Sequence, residues 1–178
     1  MPTPRQKTPD LSLPTLGGGT FDLSRDSGTE GTFVVFYRGV HCPLCIKQLG
    51  ELTEKLDEFA KRGISVVAVT ADGKDRAEEM AKRLDSDALT IAYDFPLAAA
   101  ADWGLYLSTS RGKTSIGIEE PAVFPEPGLF YVKPDQTLYF ASVQTMPFAR
   151  PALADVLGAL DFVKAHDYPA RGEHSLAA

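Results

Sequence analysis

At 178 residues, with 44% apolar and 24% charged side chains, the chain has the size and composition of one globular domain with a sizeable core. Eighteen basic residues against 24 acidic ones leave a net charge of −6. No basic stripe with interleaved aromatics is present, so nucleic acid and anionic membranes, whose binding rests on phosphate neutralisation, are excluded as expected partners. No stretch approaches the roughly 20 apolar residues that span a bilayer, and the polar start lacks the apolar core of a signal peptide, so a cytoplasmic location is expected.

Residues 1–10 read as a loose polar arm. Short strands at 11–14 and 21–23 flank the glycine turn Gly17-Gly18-Gly19. The apolar run Phe33-Val34-Val35-Phe36-Tyr37 predicts a buried core strand over 33–38. A helix over 46–62 follows, with Leu49, Leu52, Leu56 and Phe59 on one face. Lys61 and Arg62 complement its negative end, and Gly63 stops it. Residues 64–69 read as a second strand of buried, parallel type. Residues 74–85 predict a charged helix, with Ala77, Met80, Ala81 and Leu84 inward and the run from Lys74 to Glu79 as a solvated face. A third strand is expected within 89–95, then a helix over 96–106 opening on Pro96, with Trp103 as core. Residues 108–127, with two glycines and three prolines, read as irregular. Strands at 129–132 and 137–143 flank the turn Lys133-Pro134-Asp135-Gln136. A helix over 151–166 closes the chain, and 167–178 read as a frayed tail. This order implies an α/β fold, a central mixed sheet covered on both faces by helices.

The two cysteines, Cys42 and Cys45, bracket Pro43 and Leu44 where the first core strand turns into its helix. In a reducing compartment such a pair points to catalysis rather than a static bridge. With Cys42 at the N-cap and Pro43 at the first helical position, the Cys42 sulfur can accept from the Leu44 and Cys45 amides. Those bonds and the helix dipole favour a thiolate, so Cys42 is expected to be the more acidic and more exposed thiol. A second thiol one turn on can close a short disulfide. A zinc site would need four ligands, and the three histidines, His41, His166 and His174, do not supply a matching set, so no metal or organic cofactor is expected. His41, beside Cys42, reads equally as a base and as a solvated turn residue. Arg38 reads as lining the site or pairing with an acid.

At this point the chain resembles the peroxiredoxin-like AhpC/TSA branch of the thioredoxin superfamily. The resemblance spans roughly residues 9–165. It rests on Pro9-Asp10-Leu11-Ser12-Leu13-Pro14, the strand end Phe36-Tyr37, the dithiol, and Pro127-Gly128-Leu129-Phe130 before the hairpin. It implies a thioredoxin fold in one domain over 1–178, with polar tails at both ends. It also implies that Pro127 takes the place of the cis-proline that packs on the dithiol. Laid without gaps over the family's Pro-x-x-x-Thr-x-x-Cys signature, Cys45 falls on the peroxidatic cysteine, Cys42 replaces the threonine and Arg38 replaces the proline. The family's arginine before the hairpin strand is replaced by Pro127, so Arg38 and Arg150 are the candidates to orient a peroxide.

The expected function is thiol-dependent redox chemistry through a Cys42–Cys45 dithiol, regenerated by thioredoxin or glutathione. The motif favours a protein disulfide as substrate, with Cys42 as nucleophile. The family resemblance favours a peroxide, with Cys45 attacking, and allows a homodimer. A non-enzymatic redox-sensing module, signalling through the 108–127 segment, is the alternative of a different class.

Overall fold

The structure, a computed structural model, describes residues 2–174. In chain order these form β1 (Ser12–Pro14), β2 (Thr20–Asp22), β3 (Gly31–Phe36), α1 (Pro43–Glu54), α2 (Leu56–Lys61), β4 (Ile64–Val69), α3 (Lys74–Leu84), β5 (Thr90–Ala92), β6 (Leu107–Thr109), β7 (Val123–Pro125), β8 (Gly128–Val132), β9 (Leu138–Val143) and α4 (Leu153–His166). The central sheet has the order β5-β4-β3-β8-β9. β3 pairs parallel with β4 and antiparallel with β8, so it is the middle strand. Every residue of β3 is buried, which matches its unbroken apolar run.

Alternation along β3 divides the core in two. Phe33, Val35 and Tyr37 face α1 to α4, meeting Leu49, Leu52, Phe59, Met80 and Leu157. Val34 and Phe36 face the opposite side, against Phe21, Phe95, Trp103 and Phe130. Phe36 and Trp103 pack at 5.1 Å, as do Trp103 and Phe130. Each of these rings contributes about 1.5–3 kcal/mol by burial. Helices therefore cover one face of the sheet. The other face, expected to be helical too, is covered by the β1–β2 hairpin and the turn that carries Trp103.

Other expectations change in detail. The helix expected over 46–62 starts at Pro43 and breaks at Lys55, whose ψ of 3° takes the backbone out of the helical range. The helix expected over 96–106 shrinks to a 3-10 turn, Leu97–Ala100. Gly104, at φ +70°, lets the chain reverse there, and the Leu105 amide bonds back to Ala100. The 108–127 stretch is not irregular. β6 and β7 pair antiparallel, with Ser108 opposite Phe124, and a bridge between Lys113 and Glu119 extends the excursion.

The arm is not loose, because the edge strand β9 offers unpaired backbone groups. Arg5 N donates to Leu138 O at 2.8 Å, and Leu138 N donates to Gln6 O at 2.9 Å. The expected frayed tail docks as well. Tyr139 Oη donates to Tyr168 O at 2.7 Å, and Arg5 Nε donates to Ala170 O at 2.9 Å. Residues 1 and 175–178 of those two predicted segments lie outside the described residues. No helix among the described residues is long and apolar enough to cross a membrane.

Candidate active site

β3 delivers the chain to the middle of the sheet's end, and Arg38, Gly39, Val40 and His41 turn it into α1. Gly39 has φ +140°, and a Cβ there would lie 2.6 Å from Asp72 Oδ2. Only glycine meets both demands. The turn leaves Cys42 extended (φ −98°, ψ 108°) at the N-cap of α1. Its sulfur accepts from Cys45 N at 3.3 Å, while Ile46 N donates to Cys42 O at 3.1 Å to begin the helix. The Leu44 amide, expected as a second donor, is not a partner of the sulfur. Both cysteines are free thiols.

Arg150 arrives from the segment between β9 and α4. Its Nη2 faces both sulfurs, at 3.2 Å from Cys45 Sγ and 3.8 Å from Cys42 Sγ. The guanidinium is held by Pro147 O, which accepts from Nε at 2.8 Å, and by Gln48 Oε1, which accepts from Nη1 at 2.5 Å. Gln48 lies one helical turn beyond Cys45 and is itself buried.

The thiols are pushed in opposite directions. Cys45 donates its S–H to the Cys42 sulfur, the largest influence lowering Cys42, which falls from 9.0 to about 6. Burial opposes this, and the Cys45 amide, Arg150 and a hydrogen bond from Arg38 add to it. Cys45 is raised well above 9.0, chiefly by burial, then by its role as donor to Cys42 and by the charge there. The closer approach of Arg150 to Cys45 does not reverse this. The pair therefore carries one negative charge, centred on Cys42, and gives up its second proton reluctantly. Alkylation of the reduced protein is expected to rise with pH through a midpoint near 6 and to label Cys42, as a pH series with peptide mass spectrometry checks. The sign for stability follows. An unfolded Cys42 holds its proton to about pH 8.5, so the ionised thiol stabilises the reduced fold fully above that and the contribution is lost as pH falls through about 6.

The expectation of an exposed Cys42 is corrected. Cys42 is 1% exposed and Cys45 is fully buried, because Arg150 and the surrounding turns close over the helix start. Beside Arg150, a groove of about 370 Å³ is lined by Leu44, Gln48, Pro147, Phe148 and Pro151.

Two further guanidinium groups hold the turn. Arg38 pairs with Glu120 at 3.2 Å and Glu126 at 3.4 Å, and lies 4.6 Å over the Phe124 ring. Ser108 Oγ donates to Glu126 Oε1 at 2.7 Å. Arg76 Nε donates to Asp72 Oδ1 at 2.8 Å, and its Nη2 lies 3.3 Å from His41 Nδ1. His41 is fully buried rather than solvated, and stacks edge-on with Phe124 at 4.8 Å. Burial, which Asp72 opposes and Arg38 and Arg76 reinforce, lowers its pKa from 6.5 to about 4. A neutral imidazole at pH 7 adds no positive potential. Since guanidinium only donates, Nδ1 accepts and the ring proton sits on Nε2.

Of the residues singled out in the sequence, Cys42, Cys45, Arg38 and Arg150 come together at the helix start. His41 adjoins them but faces Arg76. Pro127 is corrected. The described residues contain no cis peptide bond, so Glu126–Pro127 is trans. The extended course from β7 into β8 keeps Glu126 turned to Arg38, while Pro127 O accepts from Gln144 N at 3.0 Å. Gln48, Asp72, Arg76, Glu120 and Glu126 carried no sequence signal for the site, since their partners lie 32 or more residues away in the cases of Gln48, Asp72 and Glu120.

Comparison with known proteins agrees with this geometry. The AhpC/TSA family profile matches residues 4–141. A Mycobacterium tuberculosis protein, Rv2521, provisionally named a peroxiredoxin, is 31% identical over 123 residues, covering 65% of this chain and 73% of its own length. Among solved structures, the peroxidoxin BcpB of Mycobacterium tuberculosis superposes with TM-score 0.68 at 21% identity, covering 93% of this chain and 99% of its own. A Chlorobium tepidum protein provisionally identified as the thiol:disulfide interchange protein DsbE superposes with TM-score 0.66 at 20% identity, covering 92% and 98%. These superpositions establish the thioredoxin fold, which peroxidases and disulfide exchangers share. With the profile covering most of the chain and a dithiol at the helix start, the protein belongs to the AhpC/TSA family.

Proposed function

We propose that this is a thiol peroxidase in which Cys42 attacks a small hydroperoxide and Cys45 resolves the product. The observation that carries this is the combination of a Cys42 thiolate with almost complete burial. A peroxide is small enough to reach such a sulfur, whereas a protein disulfide needs an exposed one. Arg150 supplies a fixed positive charge where negative charge passes from sulfur to the leaving oxygen. Gln48 Nε2, next to that guanidinium, is a buried donor with no acceptor among the described residues, and suits a peroxide oxygen.

The Cys42 thiolate displaces alkoxide or hydroxide from the peroxide, becoming a sulfenic acid as the O–O bond breaks, and the leaving oxygen takes up a proton. The Cys45 thiol then displaces water from Cys42, giving the Cys42–Cys45 disulfide. Both sulfurs face the same Arg150 nitrogen and Cys45 N already donates to the Cys42 sulfur, so the two side chains are neighbours before this step. One external dithiol, or two monothiols such as glutathione, returns the pair to its reduced state. Such reductants fit a cytoplasmic setting. Reading Cys42 as attacker departs from the ungapped family alignment, which puts the peroxidatic role on Cys45.

Stopped-flow mixing of the reduced protein with hydrogen peroxide tests this, beside an insulin disulfide as competitor substrate. Fast, peroxide-proportional oxidation is expected, with slow insulin reduction; the reverse order would favour disulfide exchange. Oxidised protein should show a loss of two hydrogens within the tryptic peptide 39–47, which contains both cysteines. Two free thiols after stoichiometric peroxide would overturn the resolving role of Cys45.

A sensing role has one observation in its favour. Arg38 of the dithiol turn, and Arg76 of α3 against His41, both reach residues 119–126, so the turn and that excursion share contacts. Turnover with excess thiol separates an enzyme from a sensor.

A further inference from the structure

We infer that Asp72 is a positioning residue for Cys42: its buried carboxylate grips the Gly39–His41 turn and sets the Cys42 sulfur under the Cys45 amide. This rests on the reading of Cys42 as the attacking thiol. Asp72 sits just past the end of β4, and its side chain is 1% exposed. It is itself fixed on several sides. Its amide donates to the Thr70 hydroxyl oxygen at 3.0 Å, its carbonyl accepts from Asp94 N at 3.0 Å, and its Oδ1 accepts from Arg76 Nε at 2.8 Å.

From that anchor, Asp72 and Arg76 touch each residue of the turn. Asp72 Oδ2 accepts from Val40 N at 2.8 Å. The same oxygen packs against Gly39, so closely that no side chain fits there. Arg76 Nη2 reaches His41 Nδ1 at 3.3 Å and Glu119 O at 3.2 Å. The turn is closed by Cys42 N donating to Gly39 O at 3.2 Å, so the residues Asp72 holds are those that orient Cys42.

The sign of the electrostatics separates positioning from charge. A carboxylate near a thiol disfavours the thiolate, so deleting the charge alone should lower the Cys42 pKa or leave it unchanged. Losing the turn should raise it, because the sulfur leaves the N-cap amide and the cations around it. Those cations are Arg38 and Arg150, and the Cys45 thiol is the remaining partner.

The experiment is iodoacetamide alkylation of Cys42 in the reduced full chain, followed by mass spectrometry across pH, with Asp72→Ala and Asp72→Asn. Asparagine keeps an oxygen for Val40 N and removes the charge. Asp72→Ala is expected to raise the midpoint by about one unit and slow alkylation at pH 6 about fivefold. Asp72→Asn should stay at or below the wild-type midpoint. An alanine variant that loses thermal stability but keeps the wild-type midpoint would make Asp72 a structural ion pair only, and the inference fails. An asparagine midpoint raised as far as that of alanine also overturns it. If the alanine variant does not fold, the asparagine arm decides by the same rule: at or below wild type supports positioning, and raised rejects it. Alkylation needs no peroxide, so a failure of the peroxidase reading is recorded separately.

Discussion

Cys42→Ser is expected to abolish peroxide turnover, by about a thousandfold or more, while Cys45→Ser completes the first half-reaction and stops. The asymmetry comes from the opposed environments of the two sulfurs. Cys42 accepts from the Cys45 amide and thiol, and its negative charge faces Arg150 and Arg38. Cys45 is fully buried, and burial pushes its thiol well above 9.0. A serine at 45 still donates a hydrogen bond, so Cys42 should remain a thiolate and accumulate as a sulfenic acid. Dimedone should then label Cys42 in the Cys45→Ser variant within seconds of micromolar peroxide. With no resolving thiol, that variant should also over-oxidise to sulfinic acid more readily than the wild type. Rapid dimedone labelling of Cys45 in the Cys42→Ser variant would transfer the attacking role to Cys45, as the family alignment has it.

Arg150→Ala should lower the rate constant for oxidation by peroxide by about 10²–10³-fold, equivalent to about 2.7–4 kcal/mol of transition-state stabilisation. Among the described residues its guanidinium is the one cation within hydrogen-bond distance of both sulfurs, and Pro147 O and Gln48 Oε1 prevent it from swinging away. Part of the loss should appear as a rise in the Cys42 alkylation midpoint, since Arg150 favours the thiolate. Lysine should recover only a fraction, because one ammonium cannot hold the Gln48 and Pro147 contacts while facing both sulfurs. Gln48→Ala should cost less than Arg150→Ala, as it removes one of two restraints on the same group. An Arg150→Ala variant oxidised at the wild-type rate would leave transition-state stabilisation to Arg38 alone.

The local features of this protein are determined by its sequence. Phe33 to Phe36 form a buried strand because a run of β-branched and aromatic residues has one stable location, the middle of the sheet. Cys42 caps α1 because Pro43 favours the first helical position and the helix leaves amides to be satisfied. The direction of the Cys42 shift was legible only in part for the same reason: the Cys45 thiol lowers it most, and the Cys45 amide at the cap adds to that. The arm, the tail and the 108–127 segment were not legible, since their order comes from partners distant in sequence: β9 for the arm, Tyr139 and Arg5 for the tail, and Arg38 and Arg76 for the excursion. Arg76 read as part of a solvated charged face, and only the placement of Asp72 beside the turn draws it inward. Exposure is not legible locally, because a helix start is open in isolation while here Cys42 is 1% exposed. What closes it is Arg150, 105 residues beyond Cys45, and no local pattern carries a contact of that separation. Sequence therefore determined where the two sulfurs sit, at the start of α1, through short-range dipoles and caps. Tertiary packing decided which of them are reachable and what holds them, because burial and ion pairing depend on the whole chain closing around the site.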